Sequence, residues 1–186
     1  MSNNALYLLR HGKTTAGSAY IGSTDVALTE LGYKQMRASV DTFLETGQRW
    51  QLIISSPLQR CAKFAQQLAQ EQGIELIIEK GLAEYHFGDW EHKTALEVME
   101  QYPDKLEQFW SDPEQYPPNN GESLAQFSQR VDVAITDIKQ QHGDKTVLVI
   151  AHGGVMRYLL SQEQQLPISS MLNFPVEHGQ LLSIEF

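Results

Sequence analysis

The stretch ALYLLRHGKTTAG, residues 5–17, sets the fold class of the chain. Its apolar run from Ala5 to Leu9 ends in adjacent Arg10 and His11, followed by Gly12. A strand that merely had to stop could do so at the glycine. A guanidinium at the mouth of a sheet costs several kcal/mol to bury unless an anion or good hydrogen-bond acceptors meet it. The run therefore reads as a first β-strand whose carboxyl end faces something anionic.

The same alternation continues downstream. After ALYLLR come the helical spacing of TELGYKQMRASVDTFLE, the apolar run QLIISS, the helical PLQRCAKFAQQLAQEQG and the run IELIIEKGL. Strand, helix, strand, helix, strand is the order of a parallel sheet covered by helices on both faces. Met36, Val40 and Phe43 share one helix face, and Leu58, Cys61, Ala65 and Leu68 share one on the next. From Ser123 a further helix carries Leu124, Phe127, Val131, Ala134, Ile135 and Ile138, and SLAQ, Ser123 to Gln126, has the form of a capping box. TVLVIAH, Thr146 to His152, is a near-continuous apolar strand, GGVMRYLL the turn and helix after it, and LLSIEF a last strand at or near an edge. The expected fold is α/β: a three-layer α/β/α sandwich with a mostly parallel central sheet.

Residues 92–120 depart from this rhythm, with helical fragments rich in Glu and Gln and then SDPEQYPPNNG, which holds three of the seven prolines. This segment reads as a lid-like insertion over one end of the sheet. At 186 residues the chain is expected to form a single domain, 1–186.

The net charge of -9 argues against a nucleic-acid binder, because backbone phosphates need a clustered excess of Lys and Arg. It leaves room for a small anion in a local basic pocket. Cys61 is the one cysteine, so no internal disulfide can form. No apolar stretch approaches the roughly 18 residues of a membrane span, and no leader pattern opens the chain. A soluble, cytoplasmic protein without membrane association is expected; oligomeric state is not legible.

In open parallel sheets, ligands bind outside the carboxyl ends of the strands. There the sequence places Arg10 and His11, then Arg60 on the first turn after IISSPLQ, then Glu84, His86 and Glu91 in GLAEYHFGDWE, then His152 and Gly153 in VIAHGG. This group set suits phosphoryl transfer to a histidine: a neutral imidazole attacks, cationic and N–H donors hold the oxygens, and a carboxylic acid protonates the departing alkoxide. Arginine suits the oxygens because its planar fork makes paired bonds and keeps its charge. Neighbouring cations should lower the pKa of His11.

In order and spacing, LLRHGKT, SSPLQRC, the E-x-x-F-G-x-W-E pattern of AEYHFGDWE, GES in NNGESL and the terminal AHGG resemble the histidine phosphatases of the phosphoglycerate-mutase-like superfamily. The resemblance covers essentially the whole chain. It implies that His11 is the phosphate-accepting nucleophile, that Arg10, Arg60 and His152 bind the phosphoryl oxygens with Gly153 beside them, and that Glu84 is the general acid that later activates water. It also implies no metal and no organic cofactor, and a small phosphorylated metabolite as partner. Within the superfamily, the compact length, FGDWE and PPNNGES are most similar to the α-ribazole-5'-phosphate phosphatases of cobalamin assembly. Relatives carry Glu after R-H-G and Asn four residues beyond; here those positions are Lys13 and Gly17.

Blander readings stand beside these. Arg10 and His11 alone could be a strand terminus with a surface ion pair, Arg60 a solvated helix residue and His152 a strand cap. Either Glu84 or Glu91 could face the pocket; the family pattern favours Glu84 and leaves Glu91 as an ion-pair partner. His86 and His92 invite a metal reading, but their spacing is untidy and a third ligand is wanting. Cys61 belongs to an apolar helix face and reads as an inert buried thiol. Phe109, Trp110 and Tyr116 could stack on an aromatic leaving group or anchor the insertion. Rival functions are a mutase or broad-specificity phosphatase, a phospho-ligand-binding protein that lost its chemistry, and a metal-assisted hydrolase.

Overall fold

The structure, a computed structural model, describes residues 5–185. Phe186, which closes the expected last strand, lies outside the described residues.

Five strands form one sheet: β1 (Ala5–Arg10), β2 (Leu52–Ser55), β3 (Glu75–Ile78), β4 (Val147–Ala151) and β5 (Leu181–Glu185), in the order β3-β2-β4-β1-β5. All neighbours are parallel except β5, which runs antiparallel to β1 at the edge. The central strands are apolar because both of their faces are covered. The two-residue period of a strand sorts them cleanly. Leu6, Leu8, Leu52, Ile54, Val147 and Val149 enter one core, and Leu9, Ile53, Leu148 and Ile150 enter the other.

Helices α1 (Glu30–Glu45) and α2 (Gln59–Gln72) close the second core with Met36, Val40, Phe43, Cys61, Phe64 and Leu68. On the opposite face lie the short helices α3 (Ala95–Gln101) and α4 (Lys105–Ser111), the long α5 (Leu124–His142) and α6 (Gly153–Glu163). The three layers are those expected. The capping box at Ser123 is present, with Ser123 accepting from the Gln126 N–H and Gln126 reaching back to the Ser123 N–H.

The segment 92–120 folds as two short helices and a proline-bearing loop. Val98, Leu106 and Phe109 bury it in the core, where Phe109 meets Trp90 edge-on at 5.3 Å between ring centres. Among the described residues, no helix is long and apolar enough to cross a membrane.

Candidate active site

Strand order assembles the site. Because β2, β4 and β1 are consecutive in the sheet, the residues leaving their carboxyl ends become neighbours: Arg60 at the start of α2, His152 after β4, and Arg10 with His11 at the end of β1. The His11 and His152 rings stand 5.2 Å apart, edge to face. Arg60 and His152 are fully buried, and His11 is nearly so.

His11 Nδ1 lies 2.8 Å from Gly12 O, a contact that requires Nδ1 to carry the proton. That leaves Nε2 with the lone pair, and among the described residues Nε2 has no hydrogen-bond partner. Burial, reinforced by Arg60, Arg10 and His178 and opposed by the bond to Gly12, holds the ring's pKa down to about 3. A neutral imidazole with a free lone pair is a nucleophile at neutral pH.

The cations are positioned by acceptors of different kinds. Arg60 donates to Thr24 O at 2.8 Å and Gly22 O at 2.7 Å, and its Nε donates to His152 Nδ1 at 3.3 Å. With Nδ1 accepting, His152 Nε2 donates to Ser56 Oγ at 2.6 Å, so this buried ring spans Arg60 and Ser56. Burial and the charges of Arg60, His11, Arg130 and Arg10 hold its pKa down. Arg10 donates from Nη1 to Val176 O at 2.5 Å, while its buried Nε has no partner among the described residues. Gly153 opens α6, so its N–H has no partner within that helix.

The two carboxylates are separated by what they accept. Glu84 Oε2 takes the Gly154 N–H at 3.0 Å, and Oε1 takes the Tyr85 N–H at 2.9 Å, which places the carboxylate at the start of α6, the helix that follows His152. A β-carbon at Gly154 would come within 2.3 Å of Glu84 Oε1, so only glycine permits this approach. The chain leading to Glu84 is fixed by Arg130, which donates to Gly81, Ala83 and Glu84 carbonyls while gripping Glu122 of the GES motif.

Glu91 meets His86 Nδ1 at 3.4 Å, an ion pair when that imidazole is protonated, but most of its partners are backbone N–H groups. It accepts from the backbone N–H groups of Gly22, Ser23, Thr24 and Phe87 and from Thr24 Oγ1 at 2.6 Å. Burial pushes its pKa up, but the bonds from Thr24, Phe87, Gly22 and Ser23 outweigh this and hold it below the usual carboxylate value. It is a loop clamp, and it leaves Glu84 as the carboxylate that faces the pocket.

His86 turns Nδ1 to the Gly88 N–H, Ser23 Oγ and Glu91 Oε1, and among the described residues no three metal-ligating side chains cluster. Cys61 is fully buried, points at Ala151 O, and has its thiol pKa pushed up by burial. Lys13 and Gly17 are both exposed, and Gly17 adopts φ of 65°. Two groups at the site were not singled out in the sequence. His178, in the loop before β5, lies 5.8 Å from the His11 ring, and Arg157 stands one turn into α6.

Beside Glu84 opens a cavity of about 440 Å³ walled by Tyr20, Phe87, Phe109, Trp110, Met171 and Arg157. Trp110 is 47% exposed and Phe109 is core, so the insertion supplies both a wall and an anchor. Tyr116 does not border the cavity.

The fold and the pocket define a class. The chain belongs to the histidine phosphatase superfamily (branch 1), whose family model matches residues 6–186. A glucosyl-3-phosphoglycerate phosphatase of Mycolicibacterium vanbaalenii is 32% identical, over 94% of this chain and 79% of its own. The adenosylcobalamin/alpha-ribazole phosphatase of Escherichia coli is 30% identical, over 94% of this chain and 86% of its own. Among solved structures, Bacillus stearothermophilus YhfR superposes with a TM-score of 0.88 at 30% identity, covering 97% of this chain and 90% of that one.

Proposed function

We propose that the chain is a phosphomonoesterase that acts through a phosphohistidine at His11, works as one domain in the cytoplasm, and takes α-ribazole 5'-phosphate as its substrate. One observation carries the mechanism: His11 spends its Nδ1 proton on Gly12 O and keeps Nε2 neutral and unpartnered beside the buried Arg60 and the half-buried Arg10.

In the first step His11 Nε2 attacks phosphorus as the ester P–O bond breaks. Glu84, as the acid, passes its proton to the departing alkoxide oxygen. Arg10, Arg60 and the Gly153 N–H hold the equatorial oxygens while charge redistributes, joined by His152 when its Nε2–H turns from Ser56 Oγ to the phosphoryl group. In the second step water attacks the phosphohistidine, Glu84 takes the water's proton, and the P–N bond breaks to free phosphate and neutral His11. Side chains, the Gly153 N–H and the attacking water supply the groups these steps call for.

The aromatic cavity beside Glu84 supports a leaving group that carries a flat, apolar ring, as the benzimidazole of a riboside is, and the similarity to the alpha-ribazole phosphatase points the same way. The glucosyl-3-phosphoglycerate phosphatase shows that kindred chains serve other leaving groups, so substrate must be tested directly. The test is initial-rate phosphate release in chelator from α-ribazole 5'-phosphate, 3-phosphoglycerate, phosphoserine, fructose 2,6-bisphosphate and phenyl phosphate. A kcat/KM advantage of about a hundredfold for α-ribazole 5'-phosphate, or about 2.7 kcal/mol, supports the assignment. A flat profile withdraws the substrate and keeps the mechanism. Isomerisation of 3-phosphoglycerate makes the chain a mutase, recovery only on adding a divalent ion makes it a metal hydrolase, and tight phosphate binding without turnover makes it a binding protein.

A further inference from the structure

The cavity beside Glu84 is walled mainly by aromatic and apolar side chains; Glu84 itself, Asn173 and one cation, Arg157, are its charged and amide groups. Arg157 stands four residues after Gly153, hence on the same face of α6 as the glycine that opens the helix. A β-carbon built on Gly153 would lie 3.0 Å from Arg157 Nη1 and 3.2 Å from Arg10 Nε. The glycine pair thus lets three functional groups converge on one helix start: Arg10 and Arg157 at Gly153, and Glu84 at Gly154.

Arg157 is oriented but not neutralised. Its Nε donates to Phe174 O at 2.9 Å, which fixes the plane of the fork. Its terminal nitrogens have no hydrogen-bond partner, and no carboxylate lies within ion-pair distance of it, among the described residues. Glu84 is committed to two backbone N–H groups instead. Arg10 feels Arg157 as a like charge, a repulsion that adds to burial in lowering its pKa. A half-buried cation set beside another, with its free donors bordering an aromatic cavity, is a cost to the empty protein that a ligand oxygen would offset.

Arg157 borders the cavity together with Glu84, whereas His11, Arg10 and Arg60 do not border it. It therefore stands on the leaving-group side of the ester bond. We infer that Arg157 determines specificity for the departing alcohol by donating to an oxygen, hydroxyl or carboxylate, carried near the ester carbon, while the aromatic walls take the apolar remainder. This rests on the phosphomonoesterase reading and adds to it a requirement that the aromatic walls alone do not impose.

The test compares matched esters: glycerol 3-phosphate against propyl phosphate for hydroxyls, and phosphoserine against phosphoethanolamine for a carboxylate, with phenyl phosphate as reference. Wild type is expected to favour the oxygen-bearing member of at least one pair by about tenfold to a hundredfold in kcat/KM. Arg157→Met is expected to erase that preference, and Arg157→Lys to restore part of it for a carboxylate but little for hydroxyls. The pair that collapses names the oxygen. Equal losses on every ester, with inhibition by vanadate weakened in parallel, would place Arg157 on the phosphoryl group and overturn the inference; so would the absence of any pair preference in wild type. Failure of wild type to release phosphate even from phenyl phosphate would instead sink the phosphatase reading. The pairs are then compared as ligands by calorimetry, where loss of discrimination in Arg157→Met supports the role and uniform weakening refutes it.

Discussion

Glu91 and Arg60 grip opposite sides of one loop. The carboxylate of Glu91 collects the N–H groups of Gly22, Ser23 and Thr24, and the guanidinium of Arg60 collects the carbonyls of Gly22 and Thr24. The loop carries the position of one to the other, and through Arg60 Nε to His152. Glu91→Gln keeps the shape but points an amide N–H₂ at backbone donors. We expect a loss of about 2–3 kcal/mol, or a Tm lowered by about 4–12 °C. We also expect kcat/KM to fall about tenfold to a hundredfold, with vanadate inhibition weakened alongside. Unchanged vanadate affinity in a destabilised variant would reduce Glu91 to a purely structural role.

Gly154→Ala should act on Glu84 alone among the reacting groups, because the added methyl would lie 2.3 Å from its Oε1 and must displace it. Loss of a general acid matters most for poor leaving groups. Alkyl phosphates are expected to lose about a hundredfold or more in kcat, and phenyl phosphate distinctly less. Equal losses on both would show that the substitution disturbs the phosphoryl pocket instead.

The buried histidines make stability depend on pH. His11 is held to about 3 by burial and its cationic neighbours, whereas an unfolded histidine titrates near 6.5. Between these values the unfolded chain binds a proton that the folded chain refuses. Stability is therefore complete above about 6.5 and declines as the pH falls toward 3. His152 is lowered by burial and by Arg60 and adds in the same direction. Thermal melts across this range should show Tm falling on acidification, with a shallower fall in His11→Gln. Parallel curves for the two proteins would contradict this.

Trp110→Ala probes the cavity without touching the core, since the indole is half-exposed. KM for α-ribazole 5'-phosphate should rise about tenfold, with Tm shifted by no more than about 2 °C. An unchanged KM would remove stacking at Trp110 from the account of the substrate.

Much of this was written in local pattern. The strands were legible because Leu6, Leu8 and Leu9, or Val147 to Ala151, leave no polar face, and α5 because its apolar residues keep one face and Ser123 caps it. The gathering of Arg10, His11, Arg60 and His152 was legible because these residues sit at or just after strand ends. What could not be read depends on pairing between distant segments. The family pattern favoured Glu84 over Glu91, but what Glu91 does turned on a loop some 70 residues away, which claims it. Arg157 stood in plain view in GGVMR, but an arginine one turn into a helix looks the same whether it meets water or a cavity. His178 gave no local signal, since only the antiparallel register of β5 on β1 brings its loop to His11.

That register bears on how the protein comes to be made. β1 leaves the ribosome before the other four strands of the sheet, yet its two neighbours are β4 and β5, the last made of the five. Through most of synthesis an apolar strand ending in Arg10 and His11 waits with both hydrogen-bonding edges unpaired. Contacts of such long separation close slowly and leave the strand open to association meanwhile. The histidine and arginine at the end of β1 therefore wait for β4 and for the loop before β5, which bring His152 and His178 beside them.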